Sequence, residues 1–363
     1  KVKMTYVEGT DKLLTSIAGG NPPDVAQLDR FMVGSWAAKG SLEDLTPLVE
    51  RDGINKDDYY PAVWSEANYE NKVFAMPWGT DARALYYNKT LMKEAGLDPN
   101  KPPKTITELD QMAEKIFKKG SNGKYERVGY IPWMNQGFFY TQAWNWGGKF
   151  EDNGELTPND PQNVKALEWM VGYAKKYDIA NLSSFSNAMG QTGLNPFWTG
   201  KVGFIIDGNW ILNDLAKAKP QFEWGVTPMP PADGYQPTTW SGGFSYVIPK
   251  GAKQKEAAWE LIKFIAGYEG TLLWAKRPNA GNDITAMPKV NEELKMNENP
   301  NLKVFLDLMP TAKFRPVTPV GQKLWDEALR VQDLAINGKG EPKALLDEVK
   351  RNVDNELAKI SKP

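Results

Sequence analysis

Fourteen tryptophans lie in this chain, and seven fall in six short, largely polar stretches, five of which contain glycine. They are Pro77-Trp78-Gly79-Thr80-Asp81, Pro132-Trp133-Met134-Asn135, Trp144-Asn145-Trp146-Gly147-Gly148, Phe197-Trp198-Thr199-Gly200, Asp207-Gly208-Asn209-Trp210 and Trp240-Ser241-Gly242-Gly243. An indole offers a broad apolar face and one N–H at its edge. A sugar ring needs such a face for its C–H groups and planar polar side chains for its hydroxyls. Asp, Asn and Arg stand within a few residues of several of these rings. The pairing points to a carbohydrate site. About half of the indoles are expected in the core, because large apolar side chains are ordinary packing material. Trp36 and Trp259, in helical contexts, belong to that group.

Composition removes other chemistries. With no cysteine and no histidine, disulfides, thiolate nucleophiles, thiolate zinc sites and a Ser-His-Asp triad are out of reach. Catalysis would rest on carboxylates, Lys, Tyr or Arg, or on an oxygen-ligated ion. No P-loop or dinucleotide fingerprint occurs; Gly338-Lys339-Gly340 lacks the third glycine and the preceding strand. Lys+Arg 44 against Asp+Glu 45 leaves no polybasic surface for nucleic acid or membrane. No stretch has the apolar length of a spanning helix.

The site has to be carried by alternating helices and strands. Thr105-Ile106-Thr107-Glu108 is a capping box, followed by Leu109, Met112, Ile116 and Phe117 on one face, with Gly120 past the end. Asp160-Pro161 starts a helix with Val164, Leu167, Val171 and Ala174 inward. Further helices run from Glu256 to Ala266, along Leu324, Ala328, Val331 and Ala335 up to Asn337-Gly338, and from Pro342 through Leu346, Val349, Val353, Leu357 and Ile360. Strands are expected at 1–7, 84–87, 128–131, 202–206, 224–227 and 244–248. At 363 residues two α/β domains are the natural reading.

Blocks in a fixed order then resemble one family. Gly19-Gly20-Asn21-Pro22-Pro23-Asp24-Val25, Ala75 to Asp81, Leu85-Tyr86-Tyr87-Asn88-Lys89 through Pro99, Pro102 to Thr105, Gly200 to Trp210, Gly225 to Pro230 and Gly242 to Gly251 are similar to extracellular solute-binding proteins of ABC importers. The branch is that of maltose-, trehalose- and oligosaccharide-binding proteins. The resemblance implies an α/β, two-lobed periplasmic-binding-protein-like fold (type II) with the ligand cleft between lobes. It implies lobes of 1–81 plus 244–311 and 84–242 plus 316–363, with crossings near 81–83, 242–244 and 311–316. Family members begin with a strand and helix upstream of the segment that opens this chain, so the first lobe is expected to lack that strand.

The resemblance also marks residues. Asp29 and Arg30 stand at the carboxyl end of an early strand, where open α/β sheets place ligands. They would bond sugar hydroxyls, or else form a surface ion pair or cap. Asp81 matches a family acid that contacts sugar. Arg83 either binds a hydroxyl or braces Asp81. Trp210, after Asp207, matches an aromatic platform, and Trp325 matches a second one or packs in the core. Trp240, Gly242 and Gly243 lie at a crossing, where glycine permits close ligand approach or hinge dihedrals. Trp144, Asn145 and Trp146 offer two indoles and an amide, or a lid packed on its lobe. Arg315 reaches the ligand or an interlobe carboxylate.

The expected function is capture of a di- or oligosaccharide and delivery to importer membrane subunits, by a monomeric, extracytoplasmic, non-catalytic protein. That location is either the periplasm or the cell surface as a lipoprotein. No cofactor, metal or nucleic acid is implied. Two alternatives stand: a glycoside hydrolase using two carboxylates, such as two of Asp29, Asp81 and Asp207, or the same fold binding a glycerol phosphodiester or polyol.

Overall fold

The run Arg83–Asn88 is buried along its whole length, as a strand covered on both faces must be. In the computed structural model it is the centre of a three-stranded antiparallel sheet, between Phe204–Gly208 and Trp224–Thr227. A second such sheet places Phe244–Val247 between Ala26–Asp29 and Met76–Pro77. The structure describes residues 2–5, 9–191, 194–278 and 280–360.

The chain forms two units. The first comprises residues 1–80, 242–294 and 314–322, and the second 81–241, 295–313 and 323–363. The first holds the sheet of Ala26–Asp29, with Leu28, Val33, Trp36, Leu42, Ala67, Ala75 and Val247 in its core. Trp259 is fully buried there too, with its N–H donated to Asp52 at 2.7 Å. The second unit holds the Arg83–Asn88 sheet. Beside it the Phe139–Asn145 helix packs on Pro161–Lys176, which also meets Pro342–Ile360.

The expected cap forms, with its return bond displaced by one residue. Thr105 accepts from the Glu108 N–H at 3.2 Å, and the Glu108 carboxylate accepts from the Lys104 N–H at 2.7 Å. Asp160 caps the Pro161–Lys176 helix through the Gln162 N–H. Other expectations are corrected. The first capped helix ends at Ile116, and Phe117 turns out with ψ 132 to stack on Tyr177 at 3.9 Å. Residues 128–131 make one parallel bridge, Val128 to Val202, rather than a strand. Residues 295–311, expected with the first lobe, lie in the second unit, because Pro300–Leu308 packs on its sheet and Phe305 sits 5.9 Å from Tyr86. Of the strand expected at 1–7, residues 2–5 are exposed and outside any strand, and residues 1, 6 and 7 lie outside the described residues.

Candidate functional site

In the second unit the site is built around Arg83, the first residue of the central strand. The backbone is pinned there: the Arg83 N–H donates to Thr239 Oγ1 at 2.8 Å, and that hydroxyl lies 2.9 Å from the Arg83 carbonyl. The guanidinium sits 3.8 Å from the centroid of the Trp240 ring and 5.1 Å from that of Trp210. Both are favourable cation–π placements. Nη1 pairs with Asp81 and donates to the Trp240 carbonyl at 3.2 Å, and Nε donates to Gln136 Oε1 at 3.3 Å. Arg83 thus braces Asp81, one of the two roles its position left open. Asp81 keeps a partly exposed side chain.

Aromatic rings extend this group. Trp240 lies 5.6 Å from Trp325, and Phe138 is edge-on to both at 6.1 and 5.5 Å. Tyr140 stacks behind Trp325 at 5.0 Å. Trp210 and Trp325 are half-buried rather than core. The Trp210 ring folds back over Gly208, so closely that a β-carbon on Gly208 would lie 2.0 Å from it. The site residue that sequence reasoning missed is Phe138. Its signal was the aromatic run Phe138-Phe139-Tyr140 just before the tryptophan-rich segment.

Asp207 is placed deeper. It accepts from Asn135 Nδ2 at 2.8 Å, Asn195 Nδ2 at 2.6 Å and the Gly208 N–H at 2.8 Å. Burial pushes its carboxyl up, although these three donors and the Arg83 charge oppose the shift. Its oxygens are engaged by the protein, so it positions Asn135 and Asn195 rather than presenting itself. Trp144 and Asn145 are also withdrawn. Trp144 packs on Tyr140 and Phe150 at 5.4 and 5.6 Å, and Asn145 is 1% exposed with its amide against Met229. Trp146 stays half-buried beside Trp169 at 6.0 Å, away from the Arg83 group.

The first unit carries Asp29 at the end of its strand. Its Oδ1 accepts from Arg315 Nη2 at 3.1 Å and caps the Phe31 N–H at 3.4 Å, while the side chain remains 35% exposed. Arg30 turns the other way and is fully buried. It donates to the carbonyls of Gly79 (2.5 Å), Gly242 and Phe244 (3.3 Å) and to Thr80 Oγ1 at 3.3 Å. Its Nε pairs with Glu66 at 3.3 Å. Arg30 therefore corrects the expectation of a ligand contact: its donors hold main chain. Gly242 and Gly243 serve the same junction. Gly243 has φ 123, and a β-carbon on it would lie 2.5 Å from the Gly79 oxygen and 2.9 Å from Arg30 Nη1. The close approach that Gly243 permits is to protein, and the Gly242 carbonyl is taken by Arg30. Arg315 lies over the Phe31 ring at 3.9 Å and holds Asp29, so its carboxylate partner lies within its own unit. Among the described residues no cluster of acids has the makings of a metal site.

Comparison with known proteins gives this arrangement its context. A maltooligosaccharide ABC transporter solute-binding lipoprotein of Streptococcus pneumoniae is 26% identical over 354 residues, covering 94% of this chain and 78% of that protein. The solved structure of CpMnBP1 with mannotriose bound superposes with a TM-score of 0.83 at 29% identity, covering 96% of this chain and 91% of the other. The maltose-bound T. maritima MalE3 gives 0.77 at 26% identity, with 96% and 88% covered. The chain shares the two-domain α/β fold of these binding proteins, which are not enzymes. The family model described as bacterial extracellular solute-binding protein matches residues 1–304, and the chain belongs to that family.

Proposed function

We propose that this protein captures a neutral di- or oligosaccharide outside the cytoplasm and hands it, unaltered, to the membrane subunits of an ABC importer. The observation that carries the reading is the second-unit group of Arg83, Asp81, Trp210, Trp240, Trp325 and Phe138. The half-buried faces of Trp210, Trp325 and Phe138 suit the C–H side of a sugar ring, with the buried Trp240 packed behind them. The Asp81 carboxylate, oriented by Arg83, suits its hydroxyls through charge-assisted hydrogen bonds. Taken by itself, the first unit offers an oriented carboxylate at Asp29 and a half-buried indole at Trp78, just after the Met76–Pro77 strand.

The phosphodiester alternative fits less well. Arg83, the cation of the aromatic group, already meets Asp81, so an anionic ligand would compete with an internal carboxylate. The hydrolase alternative needs one acid and one base or nucleophile in a fixed pair. Asp81 is ion-paired, and Asp207 is occupied by three internal donors. An extracytoplasmic location follows from the family, and a lipid anchor at the cell surface or free passage in a periplasm are the two ways to hold it there.

Calorimetry against mannotriose, maltotriose and their disaccharides tests this. At least one sugar binds with saturable heat and is recovered intact. Shortened products in amounts that scale with protein would overturn the non-catalytic reading, and binding of glycerol phosphodiesters in place of every sugar would overturn the ligand class.

A further inference from the structure

Glu66 ends the short Pro61–Glu66 helix of the first unit and is fully buried. It falls at the helical spacing of Ala62 and Val63, both of which face the core. A carboxylate in such a place is costly unless it is paired. Its oxygens lie 3.3 Å from Arg30 Nε on one side and 3.7 Å from Arg315 Nε on the other. Two guanidiniums, each almost wholly buried, thus share one carboxylate. Each has a second task. Arg30 holds the carbonyls of Gly79 and Gly242, at the points where the chain leaves and rejoins this unit. Arg315 presents Nη2 to Asp29.

We propose that Glu66 is a positioning residue for the ligand-reading carboxylate of Asp29, acting through Arg315. Glu66 takes the Nε edge of the Arg315 guanidinium, and the Phe31 ring takes its face. The planar fork then has one orientation, and in it Nη2 meets Asp29 Oδ1. Oδ1 is fixed by Arg315 and the Phe31 N–H, and in a side chain that stays 35% exposed this leaves the other carboxylate oxygen to read a hydroxyl. Without Glu66, Arg30 and Arg315 face each other with no charge between them, and Arg315 moves off its fixed plane. The same carboxylate links that orientation to the junction segments that Arg30 grips. The inference rests on the sugar-binding reading of Asp29.

A double-mutant cycle tests it, with mannotriose and maltotriose as probes in calorimetry. Asp29→Asn in the otherwise unchanged protein weakens binding by about tenfold or more, as loss of a charged hydrogen bond does. In the Glu66→Gln background the same substitution weakens binding by less than about threefold, because Asp29 is no longer held in its reading position. A generally loosened fold would leave the Asp29 increment unchanged. Glu66→Asp keeps the buried charge and shortens its reach, and it enters the same cycle should Glu66→Gln not fold; there too the increment shrinks. An equal Asp29 increment in every background that folds overturns the inference while leaving sugar binding intact. No effect of Asp29→Asn in the unchanged protein overturns the Asp29 reading, and failure of that protein to bind either sugar overturns the functional reading, each taking this inference with it.

Discussion

Removing the Trp210 indole separates a platform from a core residue. The ring rests on Gly208 and is backed by Arg83 at 5.1 Å, with its other surface half-exposed. A tryptophan buries up to about 250 Å² when fully covered, and one face against a sugar is roughly a third of that. At about 25 cal/mol per Å² this face contributes about 2 kcal/mol to binding. Trp210→Ala is therefore expected to weaken mannotriose or maltotriose binding by about 30-fold. The free protein loses the longer of two cation–π contacts, about 0.5–1 kcal/mol, while Trp240 keeps Arg83 in place at 3.8 Å. Its melting temperature should fall by only a few degrees, at about 2–4 °C per kcal/mol for a unit of this size. Calorimetry and a thermal melt on the same preparation read both quantities. Preserved affinity with a collapsed melting temperature would refute the platform argument and make Trp210 a packing residue.

Other perturbations follow from the same geometry. Arg30→Ala leaves the buried Glu66 with only the longer contact to Arg315 and removes the donor from the Gly79 and Gly242 carbonyls, and thermal denaturation should show a loss of about 3–5 kcal/mol. Gly243→Ala adds a β-carbon 2.5 Å from the Gly79 oxygen at φ 123 and should lower the melting temperature far more than Gly234→Ala, at φ 89 with open space around it. Asp52 is held well below the usual carboxylate range by Arg51, Lys263 and the Trp259 N–H. Because its folded value is depressed, the stability it contributes is full above the unfolded value of about 3.9 and is lost as pH falls through the folded one. The melting-temperature gap between the unchanged protein and Asp52→Asn should therefore close as the pH is lowered from about 4.

What could be read in the sequence was what is encoded locally. Thr105 and Glu108 cap a helix because both partners lie within one turn, and Trp224–Thr227 is a strand from its own composition. The family blocks carried the fold, since their order survives at an identity where single residues do not. Side-chain direction was not readable. Arg30 and Asp29 are neighbours, yet one turns to Glu66 and Gly242 and the other to Arg315, all distant in sequence. Trp144 and Trp146 look alike as residues, and only the packing of Tyr140 and Phe150 sends one inward. Phe117 continues an apolar face on paper, but its ring finds Tyr177 by leaving the helix.

The first unit's strand Ala26–Asp29 has a consequence for how the chain is made. Its ladder partner is Phe244–Val247, and Arg30 meets the Gly242 carbonyl 212 residues along the chain. Arg315, which fixes Asp29, is farther still. During synthesis the Ala26–Asp29 strand therefore emerges long before its ladder partner, whereas the second unit gains its central strand pairs, Arg83–Asn88 with Phe204–Gly208 and Trp224–Thr227, earlier. Closing such a long loop precedes the contacts that reward it. The first unit's sheet is thus expected to close only after its Phe244–Val247 strand has emerged, leaving the Ala26–Asp29 strand without its ladder, and open to chaperones or translocation machinery, while roughly two hundred residues are being delivered.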